Sequence, residues 1–143
     1  MSASNATRPI ADGLFTWPAA APALLGSRCQ MCGRVAFPAQ ASCAACCSTR
    51  VTVEELPRSG RLWSWTIQRF MPKEPYNSGE TPATFRPFGV GYVELPGAVC
   101  VEARLTESDP QKLHIGMPME AVFLPYRRDD DGTEIINFAF RPV

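Results

Sequence analysis

Four of the six cysteines fall in two pairs, Cys29 with Cys32 and Cys43 with Cys46, each pair enclosing two residues and separated from the other by ten. A C-x2-C turn presents two sulfurs to one ion, and two such turns complete a tetrahedral zinc shell. Four thiolates leave no open coordination position. Catalytic zinc keeps one and usually takes His, Asp or Glu among its ligands, so the quartet predicts structural zinc. Disulfide or redox use is the competing reading of six cysteines; the paired spacing favours a reduced, metal-binding set. Cys47 directly follows the second pair, where a glycine is common, and leaves the fourth ligand open between Cys46 and Cys47. Arg28, Arg34 and Arg50 lie beside the ligands and could offset the charge of a thiolate-only site.

No other residues form a catalytic set. Cys100 lies on one strand face with Glu102 and Arg104, and the single histidine, His114, lies between Leu113 and Ile115. Neither has the nucleophile–base partner that covalent catalysis requires. Asp129, Asp130 and Asp131 read as a solvated turn. Two other groups are candidates for contact with a partner or a ligand. One is a proline-rich loop over 71–87, carrying Lys73, Tyr76 and Arg86, which could meet a phosphate or a protein surface; a solvated loop is the alternative. The other is Leu14, Phe15 and Trp17, which suit an interface anchor or core packing equally.

These groups need a scaffold. The polar stretch 1–8 is expected to fray. Residues 9–28 carry Pro9, Pro18 and Pro22, and predict short helical pieces, the clearest at about 18–26, closed by Gly26. Gly33 after the first cysteine pair suits a turn of positive φ, and Phe37-Pro38 an extended strut between the pairs. Beyond residue 50 the pattern turns to period two. Strands are expected at Val51 to Leu56, Leu62 to Phe70, Gly89 to Leu95, Val99 to Leu105, Met119 to Tyr126 and Ile135 to Phe140. Trp63, Trp65 and Ile67 are expected on one face of the second, with most of the barrel aromatics in the core. Asp131-Gly132 marks a hairpin, and 107–116 a short helical turn closed by Gly116. The reading is mainly β: an N-terminal arm over 1–28 with short helices, a zinc ribbon over 29–50, and an OB-type barrel over 51–143.

Fourteen basic residues balance fourteen acidic ones. A neutral chain does not predict a nucleic-acid groove, although the aromatics could stack bases. No run of about 20 apolar residues predicts a membrane span, and no Lys/Arg-led apolar leader is visible. A cytoplasmic location is expected.

The segment GSRCQMCGRVAFPAQASCAAC resembles the rubredoxin-like zinc ribbon that opens the acyl-CoA-associated OB-fold proteins. SGRLWSWTIQRF, PFGVGYVELPGAVCVEARL and DPQKLHIGMPMEAVF resemble successive blocks of that family's OB domain. The likeness spans about 9–143. IADGLFTWP and DGTEIINFAFRP are similar to the small subunits paired with thiolase-fold enzymes of the lipid-transfer-protein type. The resemblance implies an accessory, non-catalytic subunit, often two of each chain, whose partner carries the chemistry. That chemistry is retro-aldol or thiolytic C–C cleavage of steroid side-chain or benzoylsuccinyl-type acyl-CoA. The CoA thioester would sit near the interface. A free-standing acyl-CoA-binding or carrier module and a single-stranded nucleic-acid-binding OB protein are the alternatives. The departures from the family pattern are Ala44, where many relatives have proline, and the extra thiol of Cys47.

Overall fold

The computed structural model describes residues 6–143. Fraying expected at residues 1–5 lies outside the described residues, whereas Thr7 and Arg8 are ordered within a strand. Among the described residues nine strands form two sheets, and the only helical element is one 3-10 turn at Pro110–Lys112.

The smaller sheet is the ribbon. Strand β2 (Leu25–Cys29) lies between β3 (Val35–Ala36) and β4 (Val51–Glu55), antiparallel to both. Two expectations fail here. No helix forms at 18–26: Phe15 and Leu24 make an isolated antiparallel bridge, and Leu25 onward is strand. The Thr16 and Leu25 backbone amides are used across that bridge, to Ala23 and Leu14 carbonyls, so the prolines break the segment into extended pieces. The strand at 51–55 forms, but it pairs with β2 along its whole length and belongs to the ribbon sheet rather than to the barrel.

The barrel is closed by five strands. These are β5 (Ser59–Gln68), β6 (Phe88–Glu94), β7 (Cys100–Leu105), β8 (Pro118–Arg128) and β9 (Glu134–Pro142). The order β9-β7-β6-β5-β8 returns to β9, with β7 and β9 meeting in parallel at Leu105 and Phe140. This closure leaves no free edge between those strands and is the OB arrangement. Strand β1 (Thr7–Pro9) adds to β9 in parallel.

The core alternates as period two requires. Val93, Val101, Leu105, Met119, Ile136 and Phe140 are all buried. Glycines at Gly60 and Gly91 let strands approach closely: a Cβ on Gly60 would lie 2.3 Å from the Glu94 carbonyl oxygen, and one on Gly91 2.7 Å from that of Ser64. The expected face for Trp63 is wrong. A bulge between Leu62 and Ser64 shifts the register of β5 against β6. An extra residue resets the alternation. Gly60 and Leu62 point inward and Trp63 outward by ordinary alternation, and the bulge then returns Trp65 and Ile67 to the core face. Asp129-to-Thr133 makes the expected hairpin, with Gly132 at φ 83.

Candidate functional site

The two cysteine pairs are brought together at the tip of the ribbon. Cys29 ends β2, and the chain turns through Gly33, whose N–H donates to the Cys29 carbonyl and whose φ of 79 suits only glycine well. The second turn is built the same way: the Cys47 N–H donates to the Cys43 carbonyl. The residue at its positive-φ position is Cys47 itself, at φ 63.

The four sulfurs of Cys29, Cys32, Cys43 and Cys46 lie within 4.8 Å of one another. Cys29 and Cys46 sulfurs are 3.5 Å apart, and those of Cys32 and Cys43 3.6 Å. A tetrahedron with Zn–S bonds of about 2.3 Å has edges of about 3.8 Å, so the spacing fits a zinc shell. Backbone N–H groups of Cys32 and Ala45 point at the sulfurs of Cys29 and Cys43, at 3.5 and 3.4 Å. The Cys32 amide is the chief reason that the Cys29 thiol is pulled down to about 6, against the opposing effect of burial. Amides of Cys46 and Ala45 lower Cys43 likewise. Cys46 goes the other way. The Ser48 amide lowers it, but the hydrogen bond to Cys29, burial and the remaining sulfurs outweigh that and push it up to about 12. Sulfur donors packed this closely suit a cation among them, which is the donor chemistry of a metal centre. Cys47 is not part of this cluster. Arg28 is engaged elsewhere: it pairs with Glu54 at 3.0 Å and donates to the Gly33 carbonyl.

The N-terminal aromatics go inward. Phe15 is 3% exposed, and Leu14 and Trp17 pack partly buried against the core, with the Trp17 indole donating to Thr7 Oγ1. Of the three, Phe15 offers no side chain to a partner.

The loop of 71–87 is organised around a residue that sequence reasoning missed. Glu80 Oε1 accepts from the Tyr76 and Ser78 hydroxyls at 2.9 and 2.8 Å, and Oε2 from the Arg86 backbone N–H at 3.1 Å. Tyr76 also stacks on Phe88, and the Arg104 guanidinium lies 4.0 Å over the Phe88 ring. Two of the three expected loop residues, Tyr76 and Arg86, therefore converge on Glu80. Lys73 enters only through its carbonyl, which accepts from the Tyr76 amide. Below the loop lies a cavity of about 410 Å³ lined by Glu80, Phe88, Arg104, Thr106, Tyr126 and Asn137 among others. Nothing but loop length marked this place in the sequence. Cys100 is exposed, with its thiol raised by burial and by Glu94, and lacks the base that a nucleophile needs.

Residues 53–124, half of the chain, match the family model described as the ChsH2 C-terminal OB-fold domain. The chain belongs to this family. The match agrees with the OB-fold barrel. Among relatives of the ChsH2-type proteins, the chain is 31% identical to a DUF35 domain-containing scaffold protein of Methanothermobacter thermautotrophicus, over 83% of this chain and 86% of that one. It is 28% identical to the benzoylsuccinyl-CoA thiolase subunit BbsA of Thauera aromatica, over 86% of this chain and 78% of the relative. A solved structure described as an Ltp2-ChsH2(DUF35) aldolase contains a chain of similar fold, with a TM-score of 0.61, 26% identity and 84% of each chain covered. Each likeness extends beyond the barrel. No helix in the described residues is long and apolar enough to cross a membrane.

Proposed function

We propose that this chain is a non-catalytic, zinc-stapled OB-fold subunit that binds and supports a thiolase-fold enzyme acting on an acyl-CoA. The observation that carries the reading is the extent of the likeness to proteins of thiolase and aldolase complexes. It covers 84% of this chain and 84% of the matched chain of the solved aldolase, more than the five barrel strands alone span. On this reading the ribbon, the barrel and the N-terminal arm are parts of one cytoplasmic docking module, assembled as two of each chain. Zinc held by Cys29, Cys32, Cys43 and Cys46 supplies structural rigidity and takes no part in turnover. C–C cleavage, by retro-aldol or thiolytic reaction on a steroid side-chain or aromatic acyl-CoA, belongs to the large subunit. Lys73, Tyr76 and Arg86 are the chain's proposed contacts to the enzyme or to the CoA moiety at its entrance.

Expression of the chain together with each thiolase-fold protein of its own genome, followed by affinity capture and mass measurement, tests this. A stable complex of equal numbers of both chains is expected. Failure to form one with any of them, or acyl-CoA turnover by the isolated chain, overturns it.

A further inference from the structure

The outer face of β5, β6 and β7 carries a patch that the core does not use. Trp63 is 58% exposed and Tyr92 41%, and their rings meet edge to face at 6.2 Å between centroids. Trp63 sits at the bulge, between Leu62 and Ser64. Tyr92 lies opposite Glu102, and its hydroxyl donates to Glu102 Oε2 at 3.3 Å; two rungs on, on the same face, Glu94 lies opposite Cys100. Neither Glu94 nor Glu102 forms an ion pair among the described residues. The neighbouring cations are turned away. Arg61, across from Glu94, donates to the Gly116 carbonyl at 2.9 Å, and Arg104 is laid over Phe88. A shallow groove of about 140 Å³ runs between Thr66, Val90, Tyr92 and Glu102.

In OB barrels the face of the second and third strands, here β6 and β7, is a ligand platform. Aromatics on such a face ordinarily stack bases. Here two carboxylates without cationic partners flank them, so a phosphate backbone would be repelled. What complements an aromatic pair flanked by carboxylates is a cation carried on a flat or planar group. A guanidinium stacks on an indole and pairs with a carboxylate at once. Exposed Trp and Tyr at the centre of a patch are also the commonest energetic anchors of protein interfaces.

We propose that the Trp63, Tyr92, Glu94 and Glu102 face receives an arginine-bearing surface of the thiolase-fold subunit. The inference rests on the subunit reading above and adds where the subunit docks and by what chemistry.

The test is affinity of the full chain for the co-purifying thiolase-fold protein, by calorimetry at two salt concentrations. Trp63→Ala should weaken binding about 30-fold or more, the loss of a central anchor. Glu94→Gln with Glu102→Gln should weaken it and flatten its salt dependence. Both sites are exposed, and an unchanged unfolding midpoint verifies the fold. Val53→Ser, an equally exposed apolar residue on the ribbon sheet, should leave affinity unchanged. Wild-type binding with equal affinity in the Trp63 and Glu94/Glu102 variants overturns the docking face and leaves the subunit reading standing. Absence of wild-type binding overturns the subunit reading and this inference with it. Self-association of the isolated chain that Trp63→Ala abolishes, or tight binding of a single-stranded oligonucleotide that it abolishes, overturns the inference in favour of a second copy or nucleic acid.

Discussion

The ring of Phe15 lies 5.0 Å from that of Phe123, tilted at 49°. One comes from the arm that precedes the ribbon and the other from the longest barrel strand, β8. Phe15→Ala removes a side chain that is 3% exposed, in contact with the core that Leu24, Leu62 and Phe140 share. The expected cost is about 3–5 kcal/mol, the range for a large aromatic truncated in a core. Chemical denaturation read by tryptophan fluorescence measures it. A cost near zero would mean that the arm is not part of the folding unit.

Cys32→Ser takes one thiolate from the quartet at a site where no substitute sulfur lies within the cluster. Purified variant should contain far less zinc than wild type by elemental analysis. Chelation of wild type should strip hydrogen-exchange protection from β2 and β4 before it touches β8 and β9, because metal binding is folding energy for the ribbon. Wild-type zinc content and melting temperature in the variant would contradict the metal centre.

Cys47 holds a conformation that favours glycine, with φ 63. Cys47→Gly relieves a left-handed backbone at a non-glycine residue, worth about 1 kcal/mol. It should raise the unfolding free energy by about that much and leave zinc content at one per chain. Loss of metal in this variant would make Cys47, rather than Cys46, the fourth ligand.

Glu80 is the latch of the long loop. Burial alone would raise its pKa. Hydrogen bonds from Ser78, the Arg86 amide and Tyr76, with the field of Arg104, more than reverse that and hold the carboxyl below its ordinary value. A depressed carboxylate contributes stability that is complete above its unfolded-state pKa and is lost as pH falls through the folded one. Protection factors of the 73–87 amides, corrected for the intrinsic slowing of exchange in acid, should therefore fall on acidification, beginning in the ordinary glutamate range and continuing below it. Glu80→Gln should raise exchange at neutral pH and remove most of that pH dependence. Equal exchange profiles for the two proteins would show that the loop is held by other contacts.

The cysteine quartet was legible because metal-site chemistry demands fixed residue types at fixed spacing. The barrel strands were legible because period two survives in Gly89 to Leu95 and in Ile135 to Phe140. Trp63 was not: alternation presumes one residue per step, and a bulge inserts one without a composition signal. Val51–Glu55 reads as a strand correctly, but a strand's partner is a tertiary fact, and its antiparallel neighbour β2 lies in a stretch whose prolines suggested helix starts. Phe15 was undecided because an apolar anchor has the same sequence whether it meets its own core or another chain. Glu80, and the place of Arg104 over Phe88, escaped notice because loop carboxylates and strand-end arginines are ordinarily solvated.

The connection from ribbon to barrel is three residues long, 56–58. Leu56 is 3% exposed, with its N–H on the Leu24 carbonyl, and Arg58 donates to the Pro22 carbonyl at 2.9 Å. Phe37 of the ribbon meets Phe138 of the barrel at 5.6 Å. The knuckles are thus an outrigger braced at several points, not a finger on a tether. Any protein that grips the barrel therefore also fixes the bearing of the cysteine tip.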